Sequence, residues 1–149
     1  MVPTLSGRLQ TRTFLTLFVG LPWTLLVTLV LPRRSGFGLG ELYKGTLVTL
    51  LVLWVVGILF WELLYHGLMQ FRWEKDWPTL FGLITIVPEG LLTYFLVFEV
   101  LKPSQSATTA TFLVHLVTTW FLIWGAANGP MRVIFIRWRF RGGEIIGWL

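Results

Sequence analysis

The sequence predicts an all-α membrane protein, a four-transmembrane-helix antiparallel bundle whose N- and C-termini are both cytoplasmic. Its 149 residues are 55% hydrophobic and only 13% charged, whereas a soluble domain usually carries about 25% charged residues. Four long stretches hold almost no charge, and about twenty residues at ~1.5 Å each cross a hydrocarbon core of ~30 Å. The basic residues between these stretches fall unevenly on alternate sides, which is the pattern that orients a membrane protein.

The charged residues indicate where each span ends, because a charged side chain at the bilayer centre costs ~2.5 to 3.5 kcal/mol. The first span follows Arg8 and Arg12, as a secretory signal peptide would. Its apolar part is longer than the ~7 to 15 residues of a signal peptide and ends without a small-residue cleavage site, which favours a retained helix. A single membrane domain, 1–149, has predicted spans at about 13–32, 45–66, 78–101 and 108–128, and an interfacial segment at 131–149.

The distribution of lysine and arginine favours four spans with both termini in the cytoplasm, because short cytoplasmic loops carry the excess of basic residues. Arg33 and Arg34 are exceptions, since this topology places them outside. The expected membrane is the cell inner or plasma membrane. The predicted cytoplasmic side holds Arg8, Arg12, Arg72, Lys75, Arg132, Arg137, Arg139 and Arg141, and the outer side holds Arg33, Arg34, Lys44 and Lys102.

Glu89 is the first candidate functional residue, because it lies near the middle of the third span. Pro88 removes a backbone donor and Gly90 loosens the helix, so we expect a kink beside an ionisable group. Thr85 and Thr93, four residues on either side, share its face and form an intramembrane polar site with it. The site is either a proton- or cation-coupling site or a protonated glutamate that fixes helix packing through hydrogen bonds.

Two histidines supply further candidates. Glu62 and His66 are four residues apart at the cytoplasmic end of the second span, a spacing that places them on one face and predicts a boundary pair. His115 lies within the fourth span, and an intramembrane histidine is a functional candidate by default. A pairing of Glu89 with His115 is open, because their predicted depths differ by only ~10 Å.

Two cytoplasmic segments combine arginine with aromatic residues and are candidates for lipid or partner docking. The turn after the second span is rich in charge and tryptophan, and the segment 131–141 alternates arginine with large apolar residues. Such a segment is either an amphipathic helix lying on an anionic leaflet or an extended strand. The residues of interest are Arg72, Trp73, Lys75, Arg132, Arg137, Trp138, Arg139 and Arg141.

Composition excludes several classes of function. The chain has no cysteine, which excludes disulfides, thiolate chemistry and cysteine-ligated zinc or iron–sulfur centres. No catalytic, metal or cofactor motif is complete, so we expect no enzyme and no cofactor. The excess positive charge lies beside the spans, which indicates anionic lipids and not nucleic acid as the partner.

The favoured hypothesis for function is therefore an accessory or assembly subunit of a larger membrane protein complex. The alternative is a small transporter, coupled to protons or cations through Glu89, that works as a homo-oligomer because four helices barely enclose a solute path.

Overall fold

A computed structural model describes residues 3–73 and 78–146. Helices make up 75% of the described residues, and no strand occurs among them. We number the helices α1 (5–27), α2 (Leu39–Gln70), α3 (Phe81–Leu101), α4 (Thr109–Ile134) and α5 (Ile136–Phe140).

Three of these helices, α2, α3 and α4, are long and apolar enough to cross a membrane. They contain or match the second, third and fourth predicted spans, which confirms an all-helical chain with membrane-spanning segments. At the start of α4, Thr108 forms a capping box with Thr111.

The first helix differs from its prediction in both bounds. It begins at Leu5, where the Thr4 side chain accepts a hydrogen bond from the Gly7 backbone N–H, and it ends at Val27. Arg8 and Arg12 therefore lie inside the helix and not before it. Charge failed as a boundary marker here because both arginines have carboxylate partners within the bundle. Since α1 is not among the three apolar helices, a fourth span remains a prediction.

The interior of the bundle holds about as many polar as apolar residues, and many large apolar side chains lie on its surface. Large apolar side chains such as Val30, Phe60 and Leu91 are exposed, which suits lipid as the surrounding solvent. The interior holds two small apolar clusters, one around Leu42 and one around Leu116. The buried polar and charged residues are Thr24, Thr28, Thr46, Thr49, Glu62, Thr85, Glu89, Thr93, Ser106, Thr111, His115 and Thr119.

Hydrogen bonds between distant segments define the two ends of the bundle. At one end, the backbone N–H of Thr4 donates to the Gly142 carbonyl over 2.9 Å; we call this the inner end. At the other, the outer end, the N–H of Arg34 donates to the Ser106 carbonyl over 3.1 Å. Each end thus gathers segments that are far apart in sequence.

Three wide turns with π-helical hydrogen bonding interrupt the long helices, at Thr16–Gly20 in α1, Gly57–Trp61 in α2 and Leu96–Leu101 in α3. Such turns are often found at functional sites. A separate break at Thr85 divides α3 into Phe81–Ile84 and Ile86–Phe95. It lies one turn before Pro88, which has no N–H to donate to the Ile84 carbonyl.

Residues 131–141 form the last turn of α4 and the short helix α5. The choice between helix and strand for this segment is therefore settled in favour of helix. Gly129 interrupts α4, which resumes at Pro130–Ile134 and is followed by α5. The chain then packs against α1, where Gly7 and Gly142 approach so closely that a Cβ on Gly7 would lie 2.2 Å from the Gly142 oxygen. The basic C-terminal segment is therefore part of the folded bundle.

Candidate functional site

A buried ion network joins the first three helices near the inner end. Arg12 of α1 donates from Nη1 to Glu62 Oε1 of α2 over 3.0 Å, and from Nη2 to Glu89 Oε2 of α3. Arg8, one turn earlier in α1, donates from Nε to the second oxygen of Glu62 over 2.7 Å. Two arginines thus face two carboxylates, and the network is neutral.

Burial makes these contacts strong determinants of packing. Glu89 is only 1% exposed and Glu62 is 8% exposed, so neither carboxylate can rely on water. An unpaired charge in such a position is very costly, whereas a paired and hydrogen-bonded one is tolerated. The positions of α1, α2 and α3 are therefore linked through the side chain of Arg12.

The wide turn of α2 provides the space that Arg12 occupies. A Cβ added at Gly57 would lie 2.0 Å from the Nε of Arg12, far inside any van der Waals contact. The guanidinium also donates from Nη2 to the Leu53 carbonyl over 3.4 Å. A side chain at residue 57 would therefore displace the Arg12 guanidinium from this position.

The predicted polar face of α3 is buried around the ion network. Thr85, Glu89 and Thr93 are all almost fully covered, and the Thr85 hydroxyl donates to the Gly82 carbonyl over 3.2 Å. Tyr65 of α2 interacts electrostatically with Glu89, and both residues line the cavity that is described below. Glu89 therefore points into the bundle and not towards lipid.

The predicted Glu62–His66 boundary pair is not formed. Both oxygens of Glu62 accept hydrogen bonds from arginines of α1, while Nε2 of His66 lies 3.5 Å from Nε2 of Gln70. The reason is that α1 packs across Glu62 and brings two arginines to it, which bind a carboxylate more strongly than an imidazole does.

His115 belongs to a second polar cluster, towards the outer end, and does not pair with Glu89. Its Nε2 lies 2.9 Å from the Thr24 hydroxyl of α1. The Thr28 hydroxyl bonds to the Thr24 carbonyl over 2.6 Å and lies 2.9 Å from the Thr46 hydroxyl of α2. This hydroxyl cluster connects α4, α1 and α2.

A cavity of about 680 Å³ opens at the inner end and reaches the ion network; we call it the inner cavity. Its size is within the range of small-molecule sites. All four long helices and the C-terminal segment contribute to its walls. Its polar and aromatic lining includes Arg8, Arg12, Glu62, Glu89, Trp120, Trp124, Asn128, Arg132, Trp138 and Arg139.

The predicted docking residues divide into two groups. Arg132, Trp138 and Arg139 line the inner cavity, whereas Arg137 and Arg141 are exposed outside its lining. Trp73 is fully exposed and Arg72 is half-buried in the turn after α2. Lys75 lies outside the described residues.

Sequence reasoning assigned Arg8 and Arg12 to topology and missed them as site residues. Their spacing of four, which places both on one helix face, was the available indication that they act together. The part of the chain that the structure describes contains no group of three or more histidines or acidic residues able to hold a metal ion.

Comparisons with protein-family models, with characterised proteins and with solved structures found no match for this chain.

Proposed function

We propose that this chain is a small accessory or assembly subunit of a larger membrane protein complex, located in the cell inner or plasma membrane. The observation that carries the proposal is the pairing of Glu89 and Glu62 with Arg12 and Arg8. Because these acidic groups are neutralised internally, they hold helices together. At the inner end, Arg132, Arg137, Arg139 and Arg141 remain exposed and available to partners and to anionic lipids.

The proposed topology has four spans with both termini in the cytoplasm. Contacts along the length of α1 support this arrangement. Arg12 binds α2 and α3 near the inner end, the Trp23 indole donates to the Thr118 hydroxyl of α4 over 3.0 Å, and Thr28 contacts Thr46 towards the outer end. A helix that packs beside α2 and α4 from one end to the other shares their depth in the membrane.

The proposed docking surface is the inner face of the C-terminal segment. Arg137, Phe140 and Arg141 are exposed there, and the segment is anchored because the Trp138 indole donates to the Thr11 hydroxyl over 2.7 Å. Arginine and aromatic side chains on a fixed backbone are typical of interface residues that contribute most to binding.

Copurification tests this proposal. Mild-detergent extraction of the tagged chain should yield a stoichiometric larger partner, and Arg137→Glu with Arg141→Glu should release it without disturbing the fold. Arg33→Glu with Arg34→Glu is the matched control, since it makes the same charge change at the outer end. A monodisperse homodimer with nothing else attached would contradict the subunit hypothesis.

A second candidate function is a small, oligomeric proton- or cation-coupled transporter. It is favoured by the inner cavity, which extends from the inner end to the Glu89 carboxylate. In this hypothesis Arg12 releases Glu89 during the transport cycle. Glu89→Gln should then abolish proton-driven uptake in vesicles, whereas an accessory subunit carrying the same change should still assemble with its partner.

A further inference from the structure

The lining of the inner cavity carries more positive than negative charge. Its two carboxylates, Glu62 and Glu89, are already bonded to Arg8 and Arg12. Arg132 and Arg139 also line the cavity, and within residues 3–73 and 78–146 neither forms an ion pair. Among the residues that the structure describes, two cationic groups therefore line the same space without a compensating anion.

Both arginines are held by structured parts of the chain. Arg132, in the last turns of α4, donates from Nη2 to Asn128 Oδ1 over 2.8 Å. Arg139 lies in α5, next to Trp138, whose indole is bonded to Thr11. Two guanidinium groups that line one cavity offer several donors, which suits the several oxygens of a phosphate group.

Three indole rings form the apolar part of the same cavity. The N–H groups of Trp120 and Trp124 donate to the carbonyls of Gly82 and Thr79 over 2.8 and 3.1 Å, and that of Trp138 donates to Thr11. Since these donors are already satisfied, the rings offer mainly apolar surface. Tryptophan is suited to the headgroup level of a membrane, where a ligand is polar at one end and apolar at the other.

We propose that the inner cavity binds a phosphate group, with Arg132 and Arg139 as its ligands. An anionic phospholipid headgroup and soluble phosphate share this chemistry. A lipid would place its phosphate between the two arginines and its glycerol and upper acyl chains against the indoles. Arg132 and Arg139 are exposed, as Arg137 and Arg141 are, but they also line the cavity. The proposal therefore concerns the cavity, and it does not depend on the proposed partner complex.

Native mass spectrometry of the full chain, purified in mild detergent, tests the site. With phosphatidylglycerol as the probe, one lipid should remain bound per chain. Phosphatidylcholine has the same phosphate, but the two arginines repel its choline cation, so it should be retained less. Arg132→Gln with Arg139→Gln should weaken phosphatidylglycerol binding roughly 30-fold, which corresponds to about 1 kcal/mol for each arginine near an anionic headgroup.

Arg137→Gln with Arg141→Gln is the matched control, because it removes the same charge from neighbouring residues outside the cavity lining. It should leave phosphatidylglycerol binding nearly unchanged. An equal loss in both double variants would overturn the proposal, since it would show attraction to surface charge alone. Equal retention of phosphatidylcholine would overturn it as well.

Inorganic phosphate distinguishes the two sources of the ligand. Displacement of phosphatidylglycerol by millimolar phosphate assigns the site to a soluble anion. This effect of phosphate should be lost in the variant that carries Arg132→Gln and Arg139→Gln. Retention of the lipid under the same conditions assigns it to the headgroup.

A cavity-filling variant tests the shape of the site without changing its charge. Ala127 lines the cavity, so Ala127→Phe should exclude the lipid while both arginines remain. Undiminished phosphatidylglycerol binding in this variant would place the lipid elsewhere on the protein.

Discussion

At the scale of single residues, Arg12 is the most consequential side chain in the molecule. It binds carboxylates from two other helices and fills the space left by the missing side chain of Gly57. The sequence indicated Glu89 as an unusual residue, because a carboxyl within an apolar span is visible by inspection. Its partner was not predictable, since pairing depends on how α1 packs against α3.

Replacing Arg12 should destabilise the bundle strongly. Arg12→Met leaves Glu89 buried without a cation, and we expect the free energy of unfolding to fall by about 3–5 kcal/mol. Adding Glu89→Leu should recover most of the loss, because removing both members of a buried pair avoids the unpaired charge. Denaturant titration in mixed micelles measures both changes. No recovery in the double variant would show that Arg12 stabilises through Glu62 or Leu53 and not through Glu89.

Gly57 permits a matched comparison within one helix. Gly57→Ala forces the Arg12 guanidinium away from its carboxylates, so we expect a loss of about 1–3 kcal/mol in the free energy of unfolding. Gly67→Ala, also in α2, meets open space and should be neutral or stabilising by about 1 kcal/mol. The same titration compares the two variants, and equal effects would mean that Arg12 yields without cost.

At the scale of the elements, sequence patterning predicted α2, α3 and α4 well and α1 poorly. Apolar runs with few charges dominate α2, α3 and α4, so hydropathy alone locates these three helices. In α1 the first charge-free residue, Thr13, did not mark the start of the helix, because Arg8 and Arg12 lie within the helix and are paired with carboxylates of other helices. The helical form of 131–141 was undetermined, since alternating arginine and apolar residues suit both a short helix and a strand.

The docking of the C-terminal segment on α1 depends on the absence of a side chain at residue 7. Gly7→Ala would place a Cβ 2.2 Å from the Gly142 oxygen, which is a backbone atom and cannot rotate away. We therefore expect the segment to separate from α1 and trypsin to cleave faster at Arg137, Arg139 and Arg141. Gly40→Ala, which meets open space, should leave cleavage unchanged. A slow, unaltered digestion of the Gly7 variant would refute this role.

At the scale of the whole molecule, polar contacts join the helices on the inside and apolar side chains lie on the outside, a distribution that suits a lipid environment. The ion network lies towards the inner end and the hydroxyl cluster towards the outer end, so each half of the bundle has its own polar contacts between helices. The composition of the sequence does not reveal this division, because it arises only when helices far apart in sequence are packed together.

Cysteine labelling tests the proposed topology, and the natural chain has no cysteine to interfere. Ser35→Cys and Gln105→Cys should react with a membrane-impermeant maleimide added outside the cell. Thr79→Cys and Ile146→Cys should react only after permeabilisation. All four positions are exposed in the structure, so a lack of reaction reports sidedness and not burial. Outside labelling at Ile146 would contradict a cytoplasmic C-terminus.

The contacts of Arg12 also have a consequence for biogenesis. Its carboxylate partners lie 50 and 77 residues further along the chain, so the ribosome delivers the first helix well before either partner exists. Lipid opposes the entry of an unaccompanied guanidinium. Under the proposed four-span topology, we therefore expect the first helix to wait at the bilayer surface or within the translocon until the third has been synthesised, so that the two insert together.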